Sequence, residues 1–235
     1  MSSNTRMCPW LADLLDKLNA GCARSPFIVN LEQSAETLST GRKLCLTLWP
    51  FISDLPANVQ AVRDKLPEEM VHTRQLFDHL SDGDLYYQGL YLKQCQLAGL
   101  EREELLETIP EESTTHLTSL MTRYCKAGDL EDGIFAIVTA ELAATTYARH
   151  SYPFFERYFE ANPQDCRIDM EEGLAWLKLH ARPNTRHAIW IKRTIDRLNV
   201  EPPNEMPEQV EKLLEAIYGL WQLPEPRKLT GAHSL

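Results

Sequence analysis

Phe135-Ala136-Ile137-Val138-Thr139-Ala140-Glu141-Leu142-Ala143-Ala144 is apolar on nearly every side of a helix, which marks a helix buried in the middle of a protein rather than laid on its surface. The run lies inside a longer helical pattern. Asp129 can cap its start, the pattern continues from Leu130 to about Phe159, and Asn162-Pro163 breaks the chain after it. Glu141 is the one ionisable residue of the stretch. A buried carboxylate is expensive unless it is paired or bound to a metal, so Glu141 is either partnered or placed at a helix surface that the apolar pattern disguises.

Outward from this helix, apolar residues keep a helical spacing, and alternating runs bounded by Gly or Asn turns are missing. The expectation is an all-α bundle with no sheet. A first helix is predicted from Pro9 to Ala20, stopping at Gly21. A second runs from Ser39 to Ser53, with Pro50 as a kink or early break, and Asp54-Leu55-Pro56 reopens a short helix through Val62. Pro67 can open a long helix, interrupted around Ser81-Asp82-Gly83, that resumes to Leu97 and ends at Gly99. Arg102 to Glu107 and Ser113 to Tyr124 follow. Asp169, with Glu172 three residues on, reads as a capping box for a helix extending to Leu198. The last helix is Pro207 to Trp221. Residues 1–222 read as one domain and 223–235 as a loose polar tail.

Composition narrows the function. With 43% hydrophobic and 25% charged residues the chain is ordinary globular material. Its net charge of -10 would repel a nucleic acid, and the basic stretch Arg182 to Arg197 reads as half of a helix surface. No apolar run approaches the ~20 residues that cross a bilayer, and Met1 to Leu15 lack the pattern of a secretion signal. A cytoplasmic protein with no nucleic-acid or membrane partner is expected. Cys8, Cys22, Cys45, Cys95, Cys125 and Cys166 contain no Cys-x-x-Cys pair, so neither a zinc knuckle nor a redox dithiol is encoded, and buried free thiols are the expectation. There is no Gly-x-Gly-x-x-Gly or phosphate loop.

Three segments place ionisable groups on apolar helix faces. In Asp84-Leu85-Tyr86-Tyr87-Gln88, Asp84 shares a face with Tyr87 and with Gln88; the alternative is a polar helix edge with packed tyrosines. Glu141 is the second. In His180-Ala181-Arg182-Pro183-Asn184-Thr185-Arg186-His187 the residues His180, Asn184 and His187 stand at i, i+4 and i+7, one side of an ideal helix, as metal-binding helices require. Two core histidines satisfied by carbonyls are the commoner outcome of such spacing, and Pro183 weakens any helix through it.

Taken together, these segments resemble the haem-oxygenase-like superfamily, which includes thiaminase II (TenA), pyrroloquinoline-quinone synthase (PqqC) and the haem-oxygenase-like di-iron oxidases. The resemblance runs from about Ser25 to Leu198. Ser25-Pro26-Phe27, Glu36-Thr37-Leu38-Ser39 and Trp49-Pro50-Phe51-Ile52 are similar to that family's opening pattern. The di-iron oxidases carry Glu-x-x-His before a Leu-aromatic pair, then one Glu, then His-x-x-x-Asp-x-x-His. In the register set by Leu90-Tyr91, Asp84 falls at the first Glu and Tyr87 at the first His; Glu141 matches the middle Glu; His180 and His187 match the histidines, and Asn184 replaces the Asp.

The resemblance implies a compact bundle of about seven main helices, a homodimer as the assembly, and an oxidoreductase acting with dioxygen on a small fatty-acid-like or amino-acid-like substrate. Iron is the implied cofactor, held by Asp84, Glu141, His180 and His187, with Tyr86, Tyr87, Tyr147, Asn184 and Trp190 lining the pocket. Tyr87 and Asn184 are poorer ligands than the residues they replace. Two other readings stand beside it: a metal-free enzyme of the PqqC or TenA kind, without cofactor, in which His180 or His187 is the general acid or base, and a non-catalytic binding or interaction protein. A TenA-like nucleophilic cysteine is missing from the helix that carries Glu141, since no Cys occurs between Cys125 and Cys166.

Overall fold

The computed structural model describes residues 9–182 and 205–222, and all regular structure among them is helical, without a strand. The helices are α1 (Pro9–Ala23), α2 (Pro26–Glu32), α3 (Thr37–Lys65), α4 (Val71–Leu97), α5 (Arg102–Glu107), α6 (Glu112–Thr122), α7 (Leu130–Ala161), α8 (Met170–Gly173), α9 (Ala175–Ala181) and α10 (Glu208–Trp221). A π-helical turn, Arg123–Ala127, follows α6. None of the described helices is long and apolar enough to cross a membrane.

The central rod is α7. It packs against α1, α2, α3, α9 and α10, and Ala136, Ile137 and Val138 are wholly buried. The all-round apolar pattern is thus explained by neighbours on every side. Its start is held as expected, with the Asp129 carboxylate accepting from the Asp132 N–H at 2.8 Å. Close approach to α3 requires Gly133, because a Cβ there would stand 2.6 Å from a Val62 methyl.

Several expected breaks are absent. α1 runs through Gly21 to Ala23; the glycine is there because a Cβ would collide with the Tyr218 ring of α10. α3 is continuous through Pro50 and Pro56. Pro56 has no N–H for the carbonyl of Ile52, one turn back, and the Gln88 amide of α4 replaces it, donating to Ile52 at 3.1 Å and to Ser53 at 2.9 Å. A proline tolerated in this way needs a donor from a distant helix, which local sequence does not announce. α4 likewise passes through Ser81-Asp82-Gly83 without interruption.

The end of α4 is as expected. Gly99 takes the left-handed conformation (φ 78), its N–H donates to Gln96 at 2.9 Å and the Leu100 N–H reaches back to Cys95 at 2.9 Å, the paired bonds of a Schellman cap. Asp169 caps α8 through the Glu172 N–H at 3.0 Å. The helix predicted from there to Leu198 is not continuous: α8 stops at Gly173 and α9 at Ala181, where Arg182 is extended (φ -70, ψ 128). The residue before a proline is pushed out of the helical region, which accounts for the extended Arg182 at the end of α9. The one-faced helical stack of His180, Asn184 and His187 therefore does not form as a continuation of α9. Asn184, His187 and Trp190 lie outside the described residues, as do Cys8 and the tail 223–235.

Candidate functional site

Six helices close around a central cavity of about 60 Å³. α3 contributes Leu48, Phe51, Ile52 and Leu55; α4 contributes Asp84 and Tyr87; α6 contributes Leu117. From α7 come Glu141, Ala143, Ala144 and Tyr147, from α9 Trp176 and His180, and from α10 Ile217, Leu220 and Trp221. Ala143 and Ala144 beside Glu141 leave the free space, since larger side chains there would fill it.

Asp84, Glu141 and His180, far apart in sequence, share this cavity. Asp84 is 4% exposed and Glu141 2% exposed. Burial, and secondarily the negative charge of Glu141, push the Asp84 carboxyl up from 3.8 to about 9, so Asp84 is a protonated acid at neutral pH. Its Oδ2 is buried without a hydrogen-bond partner.

His180 is 3% exposed. Its Nδ1 stands 2.8 Å from the Trp176 carbonyl one turn earlier, an acceptor that requires Nδ1 to carry the proton and gives the neutral ring its lone pair at Nε2. The imidazole stacks on Trp176 (4.1 Å between centroids, 26° between planes) and meets the Tyr87 ring edge-on (5.1 Å, 72°). Trp176 is itself steadied by Tyr91 at 5.3 Å and Tyr147 at 6.0 Å. Tyr147 is buried and its hydroxyl is pushed well above its ordinary range by burial; it stays a neutral phenol within 3.5 Å of the Gln94 amide.

Of the residues predicted for the site, Asp84, Tyr87, Glu141, Tyr147 and His180 line the cavity. Tyr86 does not. It is 63% exposed, and among the described residues it meets the site through its ring contact with Tyr87 at 5.7 Å, because adjacent residues on a helix point about 100° apart. Sequence reasoning missed Trp176, Phe51, Leu117 and Trp221. Trp176 had a signal, standing four residues before His180 on the same face; Leu117 and Trp221 had none, since only the packing of α6 and α10 brings them in.

The implied iron was tested against these side chains. Asp84 and Glu141 suit a hard cation, and a histidine anchored through Nδ1 on a carbonyl is the usual form of a metal-ligating imidazole. Among the described residues, however, no three His, Cys, Asp or Glu side chains converge as a metal-holding group. The donors that line the cavity are Asp84 from α4, Glu141 from α7 and His180 from α9.

Residues 57–162 match the model of the TENA/THI-4/PQQC family. That span carries Asp84, Tyr87, Glu141 and Tyr147 and ends before Trp176 and His180. Among solved structures, a TenA homologue from Pseudomonas syringae pv. tomato str. DC3000 is similar over 91% of this chain and 88% of its own, with a TM-score of 0.66 at 16% identity. No curated protein matches.

Proposed function

The fold is haem-oxygenase-like, of the TenA/PqqC kind, and from it we propose that this chain binds a small planar nitrogen compound in the central cavity and transfers protons to and from it without a metal. The observation that carries the reading is the Asp84–Glu141 pair, one protonated acid beside a negative charge at the wall of an aromatic-lined cavity. A carboxyl kept protonated by burial beside a second carboxyl group is an arrangement suited to a general acid. Together they present one donor and one acceptor, which complements an amidine-like edge, a ring nitrogen next to an N–H. Phe51, Tyr87, Tyr147, Trp176 and Trp221 supply flat apolar surface for the ring itself.

In the reaction, the Asp84 carboxyl donates its proton to the departing nitrogen or oxygen of the bound molecule while Glu141 takes one from the attacking group. His180, fixed by Trp176, is placed as a third proton carrier with Nε2 as its basic atom. The test is titration of metal-free protein with 2-aminopyridine as a planar nitrogen base. Saturable binding at pH 7, lost in Asp84→Ala and Glu141→Ala and weakened above pH 9 as Asp84 ionises, is expected. Binding indifferent to both carboxyls would overturn the proposal.

A second reading is iron-dependent oxidation with dioxygen, favoured by the unpartnered Oδ2 of Asp84 and the carbonyl-anchored His180. Asp84, Glu141, His180 and His187 would hold the metal, which would supply a centre for dioxygen activation. Metal analysis of protein purified anaerobically with ample iron separates the two: stoichiometric iron, lost in Glu141→Ala, favours the second reading over the first.

A further inference from the structure

Away from the central cavity, a groove of about 240 Å³ lies between α4 and α5, and we propose that it is a separate binding site for a small organic carboxylate with an apolar body. Gly99, in its left-handed cap, turns the chain out of α4, and α5, which follows, packs on α3. Gly89, Leu92, Lys93 and Gln96 of α4 line one side, at the i, i+3, i+4 and i+7 positions of a single stripe. Leu100, Arg102 and Leu105 line the other. Leu100 and Leu105 are buried and form an apolar floor, and the two cations stand on opposite walls.

Gly89 points to use of this space. Glycine in the interior of a long helix is unfavourable relative to alanine. Packing commonly explains such a residue, as at Gly21 and Gly133, but a Cβ at Gly89 would meet no atom within 4 Å. The missing side chain leaves the groove open and serves no contact within the fold.

The charges select an anion. Arg102 has no ion pair among the described residues, and Glu104, two positions on, is turned away to Arg42 at 3.6 Å and to the Glu101 N–H at 2.8 Å. A guanidinium accepts a carboxylate as a two-pronged partner. Lys93 is engaged by Glu172 from α8, which leaves Arg102 as the charge that meets the carboxylate, while the Gln96 amide offers a neutral hydrogen bond. A volume of about 240 Å³ falls just below the ~300 Å³ at which sites for drug-sized molecules begin, so the ligand is small. This site stands independently of the chemistry proposed for the central cavity.

The experiment is titration of the full chain with sodium benzoate, followed residue by residue through its backbone amide NMR signals, with benzyl alcohol as the uncharged analogue. Saturable shifts at Gly89, Lys93, Gln96 and Arg102 are expected with benzoate and not with benzyl alcohol. Gly89→Leu, which fills the groove, and Arg102→Gln, an exposed substitution that leaves the helices intact, are each expected to weaken binding about tenfold. Shifts that do not saturate, that benzyl alcohol reproduces, that persist unchanged in Arg102→Gln, or that centre on Asp84 and Glu141 would overturn the proposal. Asp84→Asn should leave benzoate binding here unaltered, whatever becomes of the central cavity.

Discussion

Replacing Asp84 with Asn tests the electrostatics of the central cavity directly. The carboxyl ionises near its ordinary 3.8 in the unfolded chain and at about 9 in the folded one. Because the folded-state value is the higher, the folded chain binds more protons between these limits, and stability must fall as pH rises through that window. The contribution is complete below pH 4 and is lost progressively up to about pH 9. Each pH unit is worth ~1.4 kcal/mol. At pH 7, about three units above 3.8, ionisation of Asp84 in the unfolded chain alone costs the fold about 4 kcal/mol. Asn has the shape of the protonated acid and no charge to lose, so this penalty disappears in the variant. The added N–H₂ in place of the unpartnered Oδ2 costs ~1–3 kcal/mol, but that cost does not vary with pH. The informative quantity is therefore the slope. Urea unfolding of both proteins at pH 5, 6, 7 and 8 should show the variant gaining on the parent by about 1 kcal/mol or more per unit, with effects of all other titrating groups largely cancelling in the difference. Parallel profiles, or a parent that gains on the variant as pH rises, would refute the assignment of a buried, protonated Asp84.

Glu141→Gln removes the smaller cause of the Asp84 shift and leaves burial in place, so carbon NMR of the Asp84 carboxyl should show it titrating lower than about 9 yet well above 3.8. Gln88→Leu strips the donor from the carbonyls of Ile52 and Ser53; a loss of ~1–3 kcal/mol in chemical denaturation, with faster hydrogen exchange in α3 around Pro56, is expected. Gly21→Ala drives a methyl into the Tyr218 ring and should cost ~1–3 kcal/mol, whereas the same change at Gly89 should raise the thermal midpoint because nothing is displaced. Burial pushes the Cys22 and Cys125 thiols up to about 12, so a thiol-specific reagent at pH 8 should leave both unmodified in the folded chain and label them on unfolding.

The sequence by itself determined the helical class, because a period near 3.6 in apolar residues is a local property that every helix repeats. It also determined those ends that are set within a few residues, namely the Asp129 and Asp169 caps, the Gly99 stop and the break at Asn162-Pro163. The choice of Glu141 rested on an energetic rule, that a carboxylate among Ile137, Val138 and Ala140 is costly unless partnered, and the structure places it in the lining of the cavity that Asp84 and His180 also line. What only the tertiary structure decided were outcomes settled by a distant partner. Pro56 stays inside α3 because Gln88 reaches across from α4, and Gly21 stays inside α1 because Tyr218 of α10 needs the space. Asp84 keeps its proton because Glu141 and the aromatic walls come from four other helices, a desolvation that no window of sequence contains. The His180 segment turns on the same kind of point: a periodic match between side chains counts only while the backbone between them remains helical, and α9 ends at Ala181 with Arg182 extended.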